Sequence, residues 1–384
     1  MPDTPLPPAI YVKTKAGLAE LVDTLANEAI IAVDTESNSL HAYRERVCLI
    51  QISTRQNDYI VDPLLLDDVS PLGRILADPS IEKVFHAAEY DIVCMKRDFG
   101  FVFDNIFDTM IAARICGAQS VGLGKLLEEH EGVKVDKRHQ RDDWGKRPLP
   151  SDSLRYAQKD THYLIDLRDI FQHRLKRMER LAEARETFEE LCDLPAASTR
   201  TFDPDGFWRI GQPNLLKRRE MLILREVYNL REAIAESRDV PPFKVLSNKA
   251  LLELAQNPPS TIPELKRIHS LSARQVRRYG KRLLKAVQDG KAARELPEPP
   301  HPAPPDPEIT DRYAALHLWR KERAQARGVE SDVIISKQAL WELAYKDPDA
   351  LEDLSAIKGI GPWRLDTYGQ EILTVLRDFR ETEG

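Results

Sequence analysis

The segment Val33-Asp34-Thr35-Glu36-Ser37 closes the apolar run that begins at Ala29. On a strand, residues two apart share a face, so Asp34 and Glu36 would present two carboxylates together. An acidic pair leaving a buried strand is costly without a cation, and hard carboxylate oxygens suit Mg²⁺ or Mn²⁺. An acidic strand end that only caps the next turn is the other reading, and the pair alone does not exclude it. A second constellation lies in Ser151 to Asp160, which follows Pro148 and Pro150 and reads as a helix start. Tyr156 and Asp160 then stand at i and i+4 on one helix face, about 5 to 6 Å apart at Cβ. A phenol beside a carboxylate can orient a water, although a Tyr at helical spacing also serves as core. A third element, Lys83 to Asp91, reads as a strand running into a helix whose first turns carry Asp91.

These residues need a scaffold. Ala29 to Val33, Val47 to Ser53, Asp58 to Val61 and Lys83 to His86 are short runs with strand character, separated by polar turns. Helical patterns follow at Ile106 to Cys116, Gly122 to His130 and Ser151 to Met178. A strand meander followed by alternating strand and helix predicts a mixed α/β sheet over residues 1–195.

The remainder is a duplication. A shift of 89 residues superimposes Val240 to Ala286 on Val329 to Val375 without a gap, so that Tyr279-Gly280 meets Tyr368-Gly369. Both copies carry apolar residues at helical spacing and predict small all-α bundles, over 210–294 and 306–384. Residues 295 to 308, ELPEPPHPAPPDPE, are too proline-rich for helix or ladder and predict an extended linker. A weaker break spans Leu194 to Asn214.

The 384 residues carry a formal charge of −6, with 31% charged and 42% hydrophobic residues. No apolar run approaches the roughly 20 residues of a membrane helix, and the start MPDTPLPPAI lacks the pattern of a secretory signal. Cys48, Cys94, Cys116 and Cys192 are far apart, which fits a reducing cytoplasm better than a disulfide framework or a zinc site. The mild acidity argues against nucleic acid until it is divided. Residues 1–211 hold 27 basic and 36 acidic residues, a net of −9, and 306–384 hold 11 and 16, a net of −5. Residues 212–294 hold 18 and 8, a net of +10, with Lys266, Arg267, Arg274, Arg277, Arg278, Lys281, Arg282 and Lys285 concentrated together. A module this basic has the electrostatic footprint of a phosphate-backbone binder, with a solvated helix face as the bland alternative.

The order of the motifs, DxE, then one Asp after a strand, then YxxxD, is far more specific than any one of them. The sequence resembles the ribonuclease D family of DEDD exonucleases, in the subgroup whose third motif carries Tyr. Asp34 and Glu36 match the first motif, Asp91 the second, and Tyr156 with Asp160 the third; the sister subgroup's His would stand where this chain has Arg155. VCLIQIS, FDTMIAARICG, GLGKLLEEHEGV and QRDDWGKRPL also resemble that family, and the repeats are similar to HRDC domains. The resemblance implies a ribonuclease H-like α/β exonuclease domain followed by two helical HRDC bundles.

It also implies two-metal phosphodiester hydrolysis, with two divalent cations (Mg²⁺ or Mn²⁺) about 4 Å apart held by Asp34, Glu36, Asp91 and Asp160, and with Tyr156 orienting the attacking water. The implied substrate class is RNA, tRNA precursors with single-stranded 3′ ends above all, handled by a monomer in the cytoplasm. Trp144 and Arg147 lie in a segment similar to the family's substrate-side loop and stand as secondary RNA-contact candidates. His86 and His139 read as a packed and a loop histidine, while Gln51 and Asp108 fit the family pattern without a derivable role. The second copy's Ile357 to Arg364 resembles a helix-hairpin-helix turn, but its net charge favours a structural clamp. A DNA-directed proofreading or repair exonuclease is the runner-up. An RNA-binding module with a dead nuclease core is a rival from another class, but it would lack at least one of the acids.

Overall fold

The computed structural model describes residues 6–134, 137–210, 216–298 and 306–383. The first five residues, residues 211–215 of the weaker break and residues 299–305 of the proline-rich stretch lie outside the described residues. Two compact units emerge, one of residues 1–37, 47–197 and 305–384, the other of residues 38–46 and 198–304.

The larger unit is built on a six-stranded mixed sheet. Its strands are β1 (Ile10–Val12), β2 (Ile30–Ser37), β3 (Val47–Ser53), β4 (Asp58–Val61), β5 (Glu82–Phe85) and β6 (Ile106–Asp108), in the order β1-β4-β3-β2-β5-β6. β2 runs antiparallel to β3 and parallel to β5. Ile31 and Val33 point into a core formed with the Lys15–Leu25 and Glu89–Phe99 helices, whereas Ala32 joins the opposite core with Leu167, Phe171 and Leu175 of the Leu164–Arg177 helix. Burial on both faces explains why β3 is a near-continuous apolar run instead of an alternating one.

Three boundaries differ from the sequence reading. β2 continues to Ser37, so the first acidic pair lies inside the strand and not beyond it. Ile106 to Asp108 forms an edge strand, and the helix starts only at Thr109, because the Asp108 carboxylate accepts the Met110 and Ile111 N–H groups at 2.8 and 3.0 Å and caps the first turn. The long pattern from Ser151 divides into helices Ser151–His162 and Leu164–Arg177 around Tyr163.

The first repeat centres on two 20-residue helices, Arg218–Ser237 and Ala273–Ala292. They approach so closely that a Cβ on Gly290 would lie 2.5 Å from the Ile223 Cα, which only glycine avoids. The second repeat, with helices Pro307–Arg327, Lys337–Lys346 and Pro362–Glu383, belongs to the same unit as the sheet. Its ties to the nuclease fold include three ion pairs, Arg114 to Glu330, Arg327 to Glu183, and Arg364 to Glu186, at 2.6 to 2.8 Å, and the apolar contact of Val333 with the core around Phe107 and Phe188. Among the described residues no helix is long and apolar enough to cross a membrane, and all four cysteines are free thiols.

Candidate active site

The parallel pairing of β2 and β5 brings their carboxyl ends to one edge of the sheet, where sites collect in open α/β folds. Strand alternation puts Asp34 and Glu36 on the face of Ala32, which is the face covered by the helices after Ser151. Tyr156 and Asp160 come from the Ser151–His162 helix, which packs on β2, β3 and β4. Asp91 arrives from the other layer, on the first turn of the Glu89–Phe99 helix. Thr35 points to that layer and its hydroxyl donates to Asp91 Oδ1. Asp34, Glu36, Asp91, Tyr156 and Asp160 all line one cleft of about 480 Å³, with His86, Lys125 and Gln140 at its walls.

The electrostatics are those of an accumulated negative charge. Burial, then the neighbouring Asp91, Asp160 and Glu36, raise the Asp34 carboxyl well above the ordinary range, and burial with Asp160 and Asp91 does the same to Glu36. Asp91 and Asp160 are also raised, chiefly by burial. Tyr156 is raised by burial and by Asp160, to which its hydroxyl donates, so the phenol stays protonated. Among the described residues no three His, Cys, Asp or Glu side chains already converge in the geometry of a metal-ligand set. The donor chemistry nevertheless fits divalent cations: four hard carboxylates share a buried cleft and push one another toward the neutral form, a conflict that positive charge relieves.

Several supporting residues escape a sequence reading. Thr35 lies between the two acids and looks inert until its opposite face is known. Asp142 adds to the charge felt by Glu36 and is held by His139 Nδ1 at 2.8 Å and the Ser153 hydroxyl at 2.6 Å. Asp108, whose role was not derivable, also accepts the Ala88 N–H at 2.7 Å and so fixes the start of the helix that carries Asp91. Gln51 pairs with Asp34 across the strands, is fully buried, and its amide has no partner among the described residues. His86 contacts the Thr109 hydroxyl at 2.9 Å, and burial lowers its pKa.

The two secondary candidates, Trp144 and Arg147, are engaged within the fold. Trp144 is 1% exposed and packs with Cys48, Leu49, Ile60 and Ala157, its ring 6.3 Å from that of Tyr156. Arg147 spends its guanidinium on both Asp62 oxygens and on the Cys48 and Trp144 carbonyls. The loop turns both inward, where they brace β3, β4 and the back of Tyr156. The eight basic residues of the first repeat are exposed, and Arg274, Arg278, Lys281, Arg282 and Lys285 follow one stripe of the Ala273–Ala292 helix.

Residues 9–176 match the 3′-5′ exonuclease domain family, and residues 220–287 and 310–376 each match the HRDC domain. A ribonuclease D from Gluconacetobacter diazotrophicus is 30% identical over 98% of this chain and 95% of its own. The chain belongs to the ribonuclease D family. Crystal structures agree with that placement. Escherichia coli RNase D, described as an exoribonuclease involved in structured RNA processing, is 25% identical, with TM-score 0.66 over 96% of this chain and 99% of its own. The catalytic core of Trypanosoma brucei RRP6 is 31% identical, with TM-score 0.66 over 74% of this chain and 80% of its own. As a ribonuclease D family member the chain is a 3′-5′ exoribonuclease, with a ribonuclease H-like nuclease domain and two helical HRDC domains.

Proposed function

We propose that this enzyme trims the 3′ ends of structured RNAs, tRNA precursors foremost, one nucleoside 5′-monophosphate at a time, as a monomer in the cytoplasm. The observation that carries the reading is the gathering of Asp34, Glu36, Asp91, Asp160 and Tyr156 in one cleft. Asp34, Glu36, Asp91 and Asp160 would hold two divalent cations, Mg²⁺ or Mn²⁺. When bound, such ions supply a water of lowered pKa and offset charge on the leaving 3′ oxygen.

The chain's own contribution is positioning. Thr35 holds one Asp91 oxygen by its hydroxyl, which fixes the rotamer of a carboxylate that comes from the opposite layer. Tyr156 keeps its proton and donates it in a hydrogen bond to Asp160 in this structure; with Asp160 engaged by a cation that O–H would turn to the attacking water or the scissile phosphate, orienting it instead of abstracting a proton. Asp142, anchored by His139 and Ser153, adds to the negative potential at Glu36. The E. coli relative's part in structured RNA processing supports RNA over DNA as substrate, and the +10 charge of residues 212–294 supports a nucleic acid of either kind.

The test is direct. A 5′-labelled RNA with a free 3′ hydroxyl, incubated with Mg²⁺ or Mn²⁺, should shorten stepwise with release of mononucleotides, and a tRNA precursor should stop at a defined mature end. Intact RNA, or undiminished release by Asp34→Ala, would refute the reading. Faster cleavage of a matched DNA would replace RNA with DNA.

A further inference from the structure

The two repeats place equivalent surfaces in opposite situations. In the second copy, the start of the Pro362–Glu383 helix receives carboxylates from the nuclease helix Leu181–Cys192. Glu186 accepts the Trp363 and Arg364 N–H groups at 2.6 and 3.3 Å and pairs with the Arg364 guanidinium at 2.7 Å. Glu183 accepts both guanidinium nitrogens of Arg327, at 2.8 and 2.9 Å, and Arg327 also donates to the Tyr368 hydroxyl at 2.9 Å. Gly361 makes this entry possible, since a Cβ there would lie 2.4 Å from the Glu186 carboxyl carbon.

The 89-residue shift carries Arg327 back to Arg238, Gly361 to Ser272, Trp363 to Arg274, and Tyr368 to Tyr279. The arginine–tyrosine bond is kept, because Arg238 donates to the Tyr279 hydroxyl. The carboxylates are not. Arg238, Lys244, Arg274, Arg278 and Tyr279 instead line an open cleft of about 410 Å³ with no acidic side chain among the described residues that line it. Three of its four cations are new relative to the second copy, where Val333, Trp363 and Thr367 occupy the places of Lys244, Arg274 and Arg278. Ser272 replaces the intruding carboxylate as helix cap, accepting the Gln275 N–H at 3.2 Å. Lys244 reaches His41 Nδ1 at 2.9 Å, and Arg278 stacks over the Tyr279 ring at 5.7 Å.

We propose that this cleft of the first repeat is a phosphate-binding site for the RNA backbone, the open counterpart of a surface that the second repeat has closed on internal carboxylates. The inference rests on the RNA substrate proposed above and narrows it to a place. Four cations with no carboxylate in their cleft attract an oxyanion, and the second copy shows the shared Arg–Tyr corner holding one. The cleft adds Arg238 and Lys244 to the basic residues of the helix stripe and makes a defined pocket of what sequence shows as diffuse charge.

The experiment uses the full chain with Lys244→Ala and Arg274→Ala combined, both on exposed side chains. The control combines Lys249→Ala and Arg219→Ala, which remove the same charge from the same repeat outside the cleft. Binding of a single-stranded RNA without metal is measured against salt. The cleft variant should bind about tenfold more weakly, and its log–log salt slope should fall by about 1.4, for two lost phosphate contacts at about 0.7 each. The control should keep the wild-type slope. Equal losses in both variants, or none in the cleft variant, would overturn the proposal while wild-type cleavage of RNA leaves the enzyme reading intact. Absence of RNA binding and cleavage by wild type would overturn both. Polyglutamate of matched charge that competes as well as RNA would assign the cleft to an acidic protein instead and overturn it too.

Discussion

The Thr35 hydroxyl donates to Asp91 Oδ1 across the end of the sheet, so a residue between two acids on β2 fixes a third acid that lies 56 positions later in the chain. Its two neighbours face one layer and it faces the other, which lets a single strand end organise carboxylates from both sides.

Thr35→Val should therefore lower the rate of RNA shortening roughly tenfold or more, since a hydrogen bond to a charged group contributes about 1.5 to 3 kcal/mol. Thr35→Ser should retain most activity. Single-turnover rates at saturating metal measure both, and equal rates for Val and Ser would remove Thr35 from the site.

Tyr156→Phe should slow hydrolysis by roughly 10²-fold, the low end of what a positioned proton-handling group contributes, with an unchanged melting temperature. Burial and Asp160 push its phenol above the ordinary value of about 10. The tyrosine thus remains a donor throughout the working range, and the wild-type rate should show no loss near pH 10 that Tyr156→Phe abolishes. A loss of that kind would mark a phenol titrating at its ordinary value, whereas a rate that rises as the phenol deprotonates, and only while Tyr156 is present, would make it a base.

Lys83 offers a pH test of the scaffold. Its side chain is fully buried, its Nζ donates to the Asp78 and Ile81 carbonyls at 2.6 Å, and burial pulls its pKa down to about 8. The unfolded lysine titrates near 10.4, so between those values the unfolded chain holds the extra proton and stability rises with pH. The increment is complete above about pH 10.5 and is lost as pH falls through about 8. Melting temperatures across that window should rise for wild type relative to Lys83→Met, and a constant difference would contradict the burial of the charge.

Arg364 decides whether the second repeat is a clamp. Arg364→Ala leaves Glu186 buried beside two N–H groups without its cation, and should cost about 3 to 5 kcal/mol in denaturant unfolding. Arg323→Ala, which breaks a more exposed pair with Glu371, should cost less than about 1 kcal/mol. Similar values for the two would deny the docking role.

The acids were legible because each sits on a local period: Asp34 and Glu36 two apart on a strand, Tyr156 and Asp160 four apart on a helix, Asp91 just after a strand. The duplication and the +10 charge are likewise linear properties, readable by shifting and counting. Thr35, Asp142 and Asp108 were not legible as site residues, because their partners lie in other layers or across loops and no short-range period marks them. That Trp144 and Arg147 pack inward was illegible for the same reason, since a loop's sequence does not say which of its large side chains it turns inward.

The sequence by itself therefore determined the reaction class, five candidate residues that share one cleft and the existence of two unequal repeats, all carried by residue type at fixed spacing. Tertiary structure decided which face each residue serves, that the second repeat closes on Glu183 and Glu186, and that the first leaves the equivalent surface open. Those are outcomes of long-range packing, where a carboxylate more than 140 residues away settles what a helix start binds.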